Sequence, residues 1–226
     1  MRLAPLLMSF VLGAAPATAL ATPQASPRMA FQEVVYGEIR PSQVQSAFER
    51  LGRWIQRRRA ARPDLNLILL RELDRPNQFV VLAASREGHS ISFEDLGESK
   101  QLGLSDYAIL PDFNVSSSYL VGSEQLDISP SSLIMVAHLD SDPTQREQTL
   151  RLLEKLGALI VGLKGNQGAQ VLTWRKRTNH WTLISSWKDL SSYYASLENP
   201  DVMRLRAGIA SHAAAPSDLR LYRIVE

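Results

Sequence analysis

The chain has 226 residues, with 25 lysines and arginines against 23 aspartates and glutamates, a formal net charge of +2 and a hydrophobic content of 45%. So small a net charge gives no reason to expect a nucleic-acid partner, and the hydrophobic content is sufficient for one large core or two small ones. Because the sequence contains no cysteine, disulfides, thiolate nucleophiles, cysteine-ligated zinc and iron–sulfur clusters are excluded.

The N-terminal segment has the pattern of a secretory signal peptide. A positive charge at Arg2 is followed by an uncharged apolar run over 3–15 and by small residues that favour cleavage after Ala19 or Ala21. We predict a signal peptide over 1–21 and a periplasmic or secreted location. The alternative, an uncleaved anchor, is disfavoured because the apolar run is shorter than the about 20 residues of a spanning helix. No stable membrane insertion is expected after cleavage.

A first module is predicted over 30–123, after a flexible leader over 22–29. Pro41 marks a helix start, because apolar side chains recur after it at intervals of three and four residues. The remaining elements are a strand over 31–39, strands over 65–73 and 79–84 that form a hairpin, a helical and irregular stretch over 90–110, and a closing strand over 115–121. A linker is predicted over 124–131.

A second module is predicted over 132–226, because the chain aligns with itself without a gap at an offset of 102 residues. At this offset Val34 meets Val136 and Pro41 meets Pro143. The predicted elements are a strand over 133–139, a helix from Pro143, strands over 169–177 and 180–187 joined by a turn at Thr178-Asn179, a short helix capped by Asp189, a helix from Pro200 and a strand over 219–225. The order β-α-β-β-α-α-β is therefore predicted for both modules.

This element order predicts the fold class α+β, as two tandem ferredoxin-like β-α-β-β-α-α-β modules. Each split βαβ unit forms a four-stranded antiparallel sheet with helices on one face, and the other face is left bare. Packing the two sheets on each other buries both bare faces, so we predict a pseudo-dimeric α+β barrel within one chain. The sequence leaves open whether two chains pair further as a homodimer.

Aromatic side chains are concentrated on the hairpin of the second module. Because successive side chains of a strand alternate between its faces, Trp181, Leu183 and Trp187 share one face. The predicted two-residue turn would place Trp174 on that same face. We therefore predict a flat aromatic pocket beneath the helices that suits a polycyclic ligand. The alternative is that these tryptophans simply fill the core between sheet and helices.

The histidines are the candidates for proton transfer near neutral pH, and they are His89, His138, His180 and His212. None are four residues apart, so no metal site is expected. His138 lies on a strand that could aim it at a pocket, and we predict it as the general base, with an ordinary interface or surface histidine as the alternative. His212 and His180 are interpreted as a helix-terminal and a solvated residue. Four carboxylates near strand ends have no predicted partner: Glu33, Glu38, Asp140 and Asp142.

Residues 186–202 resemble the antibiotic biosynthesis monooxygenase (ABM) superfamily. In that family a tryptophan ends the third strand, a short acidic turn and a helix with an aromatic residue follow, and a proline and a valine lead into the third helix. The matching residues here are Trp187, Asp189, Tyr193, Pro200 and Val202. The resemblance covers the second module. The first module agrees only in element order, with Ser85 at the position of Trp187.

The resemblance implies an exported, cofactor-independent monooxygenase that oxidises a small aromatic or phenolic compound. In such an enzyme the substrate supplies the electrons and the protein binds it, deprotonates it and excludes water, so no cofactor is expected. The predicted catalytic residues are His138 and Trp187, and the predicted substrate-binding residues are Trp174, Leu183, Tyr193, Tyr194 and Ser196. The functional positions of haem-degrading relatives fall on Ser196 and Arg206, so haem degradation is not expected.

Two functions of other classes remain open. One is a non-catalytic periplasmic small-molecule-binding or stress-related module, and the other is a protein-interaction module. An oxygenase predicts a closed apolar cavity with a titratable group reaching into it, whereas a binding module predicts a cavity without such a group. An interaction module predicts an exposed apolar face and no cavity. The first module is expected to serve as the folded partner of the second, and the sequence leaves open whether it keeps a pocket.

Overall fold

The computed structural model describes residues 33–85, 108–110, 126–174 and 177–225. The predicted signal peptide, the leader, His89 and the closing strand over 115–121 lie outside the described residues. No helix within the described ranges is both long and apolar enough to span a membrane.

The described elements of the second module follow the predicted order, and those of the first module follow it as far as residue 85. The stretch over 90–110 was predicted as helical and irregular, but residues 108–110 form a strand, because they pair with the first strand of the module. In the first they are β1 (Glu33–Ile39), α1 (Val44–Ala61), β2 (Leu65–Glu72), β3 (Gln78–Ser85) and the short β4 (Ala108–Leu110). In the second they are β5 (Leu133–Asp140), α2 (Arg146–Val161), β6 (Asn166–Trp174), β7 (Arg177–Trp187), α3 (Leu190–Leu197), α4 (Pro200–Ser211) and β8 (Asp218–Ile224).

Local sequence explains where these helices begin. Pro41 and Pro143 each open a single 3₁₀ turn that leads into α1 or α2, because proline needs no hydrogen bond for its nitrogen in a first turn. The Asp142 carboxylate accepts a hydrogen bond from the Thr144 backbone N–H at 2.8 Å. Asn199 caps α4 in the same way, accepting from the N–H groups of the next turn.

The eight strands of the described residues belong to one antiparallel sheet of order β4-β1-β3-β2-β8-β5-β7-β6. Within each module the fourth strand lies beside the first, followed by the third and the second, which confirms two tandem ferredoxin-like modules. The modules meet edge to edge between β2 and β8, where Leu70 pairs with Ile224 and Glu72 with Tyr222. The two predicted sheets are therefore also hydrogen-bonded into a continuous sheet.

The inner face of this sheet carries one core that both modules supply. Its buried apolar residues include Val34, Leu70 and Leu82 from the first module, and Val136, Ile184 and Tyr222 from the second. Each such side chain contributes about 1.5–3 kcal/mol when removed from water, so neither module can leave its inner face bare without a large loss of stability. The outer face of each module packs separately against its own helices.

The β6–β7 register corrects the predicted turn. The structure pairs Val171 with Leu183 and Thr173 with Trp181, and Trp174 comes opposite Arg177 after an irregularity. The chain therefore reverses between Trp174 and Arg177, not at Thr178-Asn179. Asn179 is instead held within β7, because it exchanges hydrogen bonds with Ser141 at the end of β5. Shifting a register by an odd number of residues moves side chains to the other face.

As a consequence, the three tryptophans do not lie on one side of the sheet. Trp181 and Trp187 face the helices and belong to the outer core of the second module. Trp174 lines a different cavity, with His138 and Thr182 of the inner face. The predicted pocket of three tryptophans is wrong, because the inward packing of Leu172 and Ile184 fixes this register.

Candidate functional site

The helix-side cavity lies in the second module, between the outer face of the sheet and the helices α2, α3 and α4. Its sheet wall includes Met135, Leu139, Trp181, Leu183, Trp187 and Leu219, and its helix wall includes Leu153, Leu156, Tyr193, Ser196, Val202, Arg206 and Ile209. Most of these side chains are apolar. The polar groups are few and come mainly from α3 and α4, which is the usual composition of a small-molecule site.

The two tryptophans act as apolar walls because their N–H groups are already bonded. Trp187 is 1% exposed, and its Nε1 donates to Ser185 Oγ at 2.8 Å. Trp181 Nε1 donates to Ser141 Oγ at 3.2 Å. Both rings are thereby fixed in orientation, and neither has a free donor for a ligand. Leu183, between them on β7, completes the wall as predicted for a residue of that face.

Tyr193 supplies the aromatic group of the covering helix. The Asp189 carboxylate caps α3 by accepting from the Ser192 N–H at 2.7 Å, which sets the start of the helix. Tyr193 is 4% exposed and meets Trp187 edge to face, with ring centroids 5.9 Å apart. Tyr194 is 55% exposed and is not among the residues that line the cavity. Of the two tyrosines, Tyr193 is thus the one that points inward.

Two further polar residues of the helices reach the cavity. Ser196 is buried, but its Oγ donates to the backbone carbonyl of Tyr193 at 2.6 Å, so its donor is already used. Arg206 lines the cavity from α4 while remaining exposed to solvent. Burial raises the pKa of the Tyr193 hydroxyl, and the positive charge of Arg206 acts in the opposite direction. The cavity therefore has a neutral phenol and a cation close to each other.

Arg206 is a cavity residue that no sequence motif pointed to as a binding residue. Its position was considered only as the place of an iron ligand in haem-degrading relatives, for which arginine is unsuitable. Its helical spacing from Val202, four residues earlier and buried in the outer core, is the signal that could have placed it on the covered side of α4.

The size of the cavity, about 100 Å³, limits what it can hold. A closed apolar cavity of about 150 Å³ is known to take up one benzene molecule. A polycyclic ligand therefore needs α3 and α4 to move, whereas a single ring needs little change. The expectation of a polycyclic ligand is not supported by this volume.

His138 does not share a face with Trp187. It lines both the helix-side cavity and the cavity that contains Trp174, but its ring packs on the inner face, where it meets the Tyr36 ring at 4.5 Å between centroids. Its Nδ1 lies 3.1 Å from Thr182 Oγ1 and 3.4 Å from the Trp181 carbonyl oxygen. Burial lowers the pKa of His138, which favours the neutral imidazole. Its predicted role as a base remains a prediction, and its ring serves a different space from Trp187.

Three other titratable residues singled out from the sequence lie next to polar partners. His180, interpreted as solvated, lies beside Asp140, with 2.5 Å between Nδ1 and Oδ1. His212 follows α4 and its Nδ1 lies 3.2 Å from Thr149 Oγ1. Glu38 accepts from Asn77 Nδ2 at 3.1 Å. Within the described ranges no three His, Asp or Glu side chains are grouped so as to hold a metal ion.

Comparisons with known proteins agree with this architecture. Residues 132–207 match the family model described as antibiotic biosynthesis monooxygenase, so the resemblance stated from the sequence is confirmed for the second module. No curated protein shows significant sequence similarity to the chain.

Three solved structures match most of the chain, across both modules. A candidate monooxygenase of Fusobacterium nucleatum is 11% identical, with a TM-score of 0.69 over 88% of this chain and 94% of its own. A candidate monooxygenase of Lactobacillus acidophilus is 9% identical, with a TM-score of 0.62 over 86% and 93%. An anthrone oxidase-like protein is 10% identical, with a TM-score of 0.64 over 87% and 92%. At these identities the likeness shows the fold.

Proposed function

We propose that this chain, in which residues 132–207 form an ABM domain, is an exported, cofactor-independent monooxygenase of a single-ring phenol. The observation that carries the proposal is the helix-side cavity, with aromatic walls and with Tyr193 and Arg206 as neighbouring polar groups. Such a cavity excludes water from a bound ring while presenting a hydrogen-bond donor and a positive charge to its oxygen.

The reaction needs only the phenol and molecular oxygen. The phenol loses its hydroxyl proton, and the electron-rich ring transfers electrons to O₂. A carbon–oxygen bond forms at the ring carbon opposite the hydroxyl, the O–O bond breaks, and that carbon loses its hydrogen. One oxygen atom becomes the second carbonyl of a quinone, and the other leaves as water. The phenol is oxidised and O₂ is reduced, so no further reductant is required.

Arg206 and Tyr193 supply what this reaction asks of the protein. The guanidinium of Arg206 favours the phenolate over the phenol by the same electrostatic effect that it exerts on Tyr193. Tyr193, kept protonated by burial, can donate a hydrogen bond to the phenolate oxygen. Because Arg206 lines the cavity and is also exposed to solvent, the released proton can pass to water. No histidine ring on the cavity's own face is needed for this step.

Oxygen uptake by the purified protein with a monocyclic phenol, without added metal or flavin, tests the proposal. We expect Arg206→Leu to lower kcat/KM about tenfold, because a charge-assisted contact is lost at an exposed position. Arg204→Leu is the matched control, since Arg204 lies on the same helix and pairs with Asp201 at 2.8 Å. Trp187→Phe should also lower the rate, because one wall of the cavity is cut back.

The result separates the proposal from its alternatives. Uptake that depends on the protein and falls in the Arg206 and Trp187 variants, but not in the Arg204 variant, supports the oxygenase. Quenching of tryptophan fluorescence by the phenol without oxygen uptake would instead identify a non-catalytic binding module. A tricyclic phenol that is oxidised faster than the single-ring one would overturn the substrate size.

A further inference from the structure

A second cavity lies at one end of the barrel, on the inner face of the second module, and we call it the barrel mouth. Its volume is about 440 Å³, several times that of the helix-side cavity. The residues that matter for its chemistry are His138, Thr182, Trp174, Arg177, Asp140 and Asp218. The proposed oxygenation uses none of these six side chains.

His138, one of the residues that line the barrel mouth, has an unused polar atom. His138 Nε2 is buried and has no hydrogen-bond partner among the described residues, whereas its Nδ1 is engaged by Thr182 and by the Trp181 carbonyl. A buried polar atom without a partner is unfavourable. A ligand that can donate to or accept from Nε2 would therefore gain a contact that the protein leaves open.

The wall of the barrel mouth is an aromatic surface that already accepts a planar cation. The Arg177 guanidinium carbon lies 5.4 Å from the centroid of the Trp174 ring, within the range of a cation–π contact. The His180 ring meets Trp174 edge to face at 5.6 Å. Because Arg177 is exposed, its side chain can move aside at little energetic cost.

The rim of the barrel mouth is acidic. Asp140 and Asp218 both line it, against the single arginine Arg177. Their side chains are 43% and 52% exposed, so both carboxylates can be reached from solvent. Asp140 pairs with His180 and Asp218 accepts from Arg220 at 2.8 Å, and each carboxylate keeps further acceptor positions for a ligand cation.

We propose that the barrel mouth is a binding site for a small aromatic amine that carries a hydroxyl at the far end of its ring. The hydroxyl would bond His138 Nε2, the ring would lie against Trp174, and the ammonium group would meet the carboxylates at the rim. A hydroxyl both donates and accepts, so it suits either tautomer of His138. This site shares His138 and Leu139 with the lining of the helix-side cavity, but its proposed ligand contacts do not depend on any oxygenase activity.

Titration of the full-length folded protein with four probes of similar size tests whether the hydroxyl and the ammonium group each contribute to binding. Tyramine has both groups, phenethylamine lacks the hydroxyl, 4-ethylphenol lacks the amine, and 4-hydroxyphenylpropionate replaces the cation by an anion. We expect tyramine to bind with the highest affinity, about tenfold tighter than either probe that lacks one group, and the anion to bind least. The histidine ring signals in an NMR spectrum should include one resonance, from His138, that shifts with tyramine and 4-ethylphenol but much less with phenethylamine.

Variants locate the binding site. Asp218→Asn should weaken tyramine about tenfold, and Trp174→Leu should weaken it as well. Asp201→Asn is the matched control, because Asp201 is an exposed carboxylate of α4 that pairs with Arg204. Thermal melting checks that each variant is folded. The NMR test uses the wild-type protein, so it remains valid even if a variant does not fold.

Two outcomes overturn the proposal. One is the absence of saturable tyramine binding at millimolar concentration, which would mean that His138 Nε2 has no ligand partner other than water. The other is tyramine binding that Trp187→Phe weakens and Asp218→Asn leaves unchanged, which would place the amine in the helix-side cavity. Oxygen uptake is measured separately, so failure of the amine site and failure of the proposed oxygenase give different results.

Discussion

In both modules the outer face of the sheet, which packs on the helices, is formed by equivalent strands. The two modules differ in the side chains that fill the space between sheet and helices. In the first module the Phe79 ring lies over Gly37, so closely that a Cβ on Gly37 would come within 2.2 Å of a ring atom. At the same repeat positions the second module has Trp181 and Leu139, and both line the helix-side cavity. The larger tryptophan leaves this space because its N–H holds it towards Ser141.

The inner faces differ in a second way. Tyr36 and His138 occupy equivalent repeat positions and meet in the barrel, with ring centroids 4.5 Å apart. Gln78 and His180 are also equivalent, and they pair with Glu38 and Asp140 near the ends of β1 and β5. The shared fold therefore needs only apolar residues in the middle of each strand, while the ends of the strands are free to carry different chemistry. In this chain the cavities described above both lie in the second module.

The largest expected effect comes from separating the modules. A chain reduced to residues 132–226 would expose the inner-face side chains of Ile134, Val136, Ile184 and Tyr222, which are at most 2% exposed in the full chain. We expect this fragment to aggregate or to pair with a second copy, because several buried side chains worth about 1.5–3 kcal/mol each lose their partners. Size-exclusion chromatography with light scattering measures this. A soluble monomeric fragment would show that the modules are independent.

A smaller effect is expected from filling the helix side of the first module further. Gly37→Ala should destabilise the protein by about 1–3 kcal/mol, because the new methyl group meets the Phe79 ring. Gly52→Ala is the matched control: nothing lies within 4 Å of a Cβ at Gly52 in α1, so this change should be neutral or stabilising by up to about 1 kcal/mol. Chemical denaturation measures both.

Neither glycine change should alter oxygen uptake, since both lie in the first module. A Gly37→Ala variant that is as stable as the wild type but loses activity would contradict the assignment of the working cavity to the second module.

The smallest effect is the pH dependence that His138 adds to stability. Because burial lowers the pKa of His138 in the folded protein, the unfolded chain takes up its proton first, near 6.5. Stability should therefore be fully present above this pH and decrease as the pH falls towards the lower folded value. The neighbouring carboxylates of Asp218 and Asp140 oppose the shift, and His180 adds to it. Tyr36, at the equivalent position, contributes nothing in this range, because the pKa of a tyrosine hydroxyl is about 10 and burial raises it further.

Thermal melting of the wild type and of His138→Gln over a pH series measures this contribution. The variant should lose the part of the acid sensitivity that begins near 6.5. An unchanged pH profile would show that His138 is as accessible to protons in the folded protein as in the unfolded one.

The sequence determined the helix starts and the order of elements in the second module and as far as residue 85 in the first, because these depend on local signals. Pro41 and Pro143 mark helix starts by their own backbone chemistry, and apolar spacing in α1 and α2 identifies the faces that pack on the sheet. Trp187 and Tyr193 were placed in a common site from the motif of residues 186–202, and the two rings do meet there.

Only the tertiary structure decided which side chains share a space. The β6–β7 register depends on the packing of both faces at once, so the turn prediction put Trp174 on the wrong side. The joint between β2 and β8 and the contact of Tyr36 with His138 link residues that are far apart in the chain. The volume of the helix-side cavity and the approach of Arg206 to it depend on how α3 and α4 lie over the sheet. These features follow from long-range packing, which a pattern read within one strand or helix does not contain.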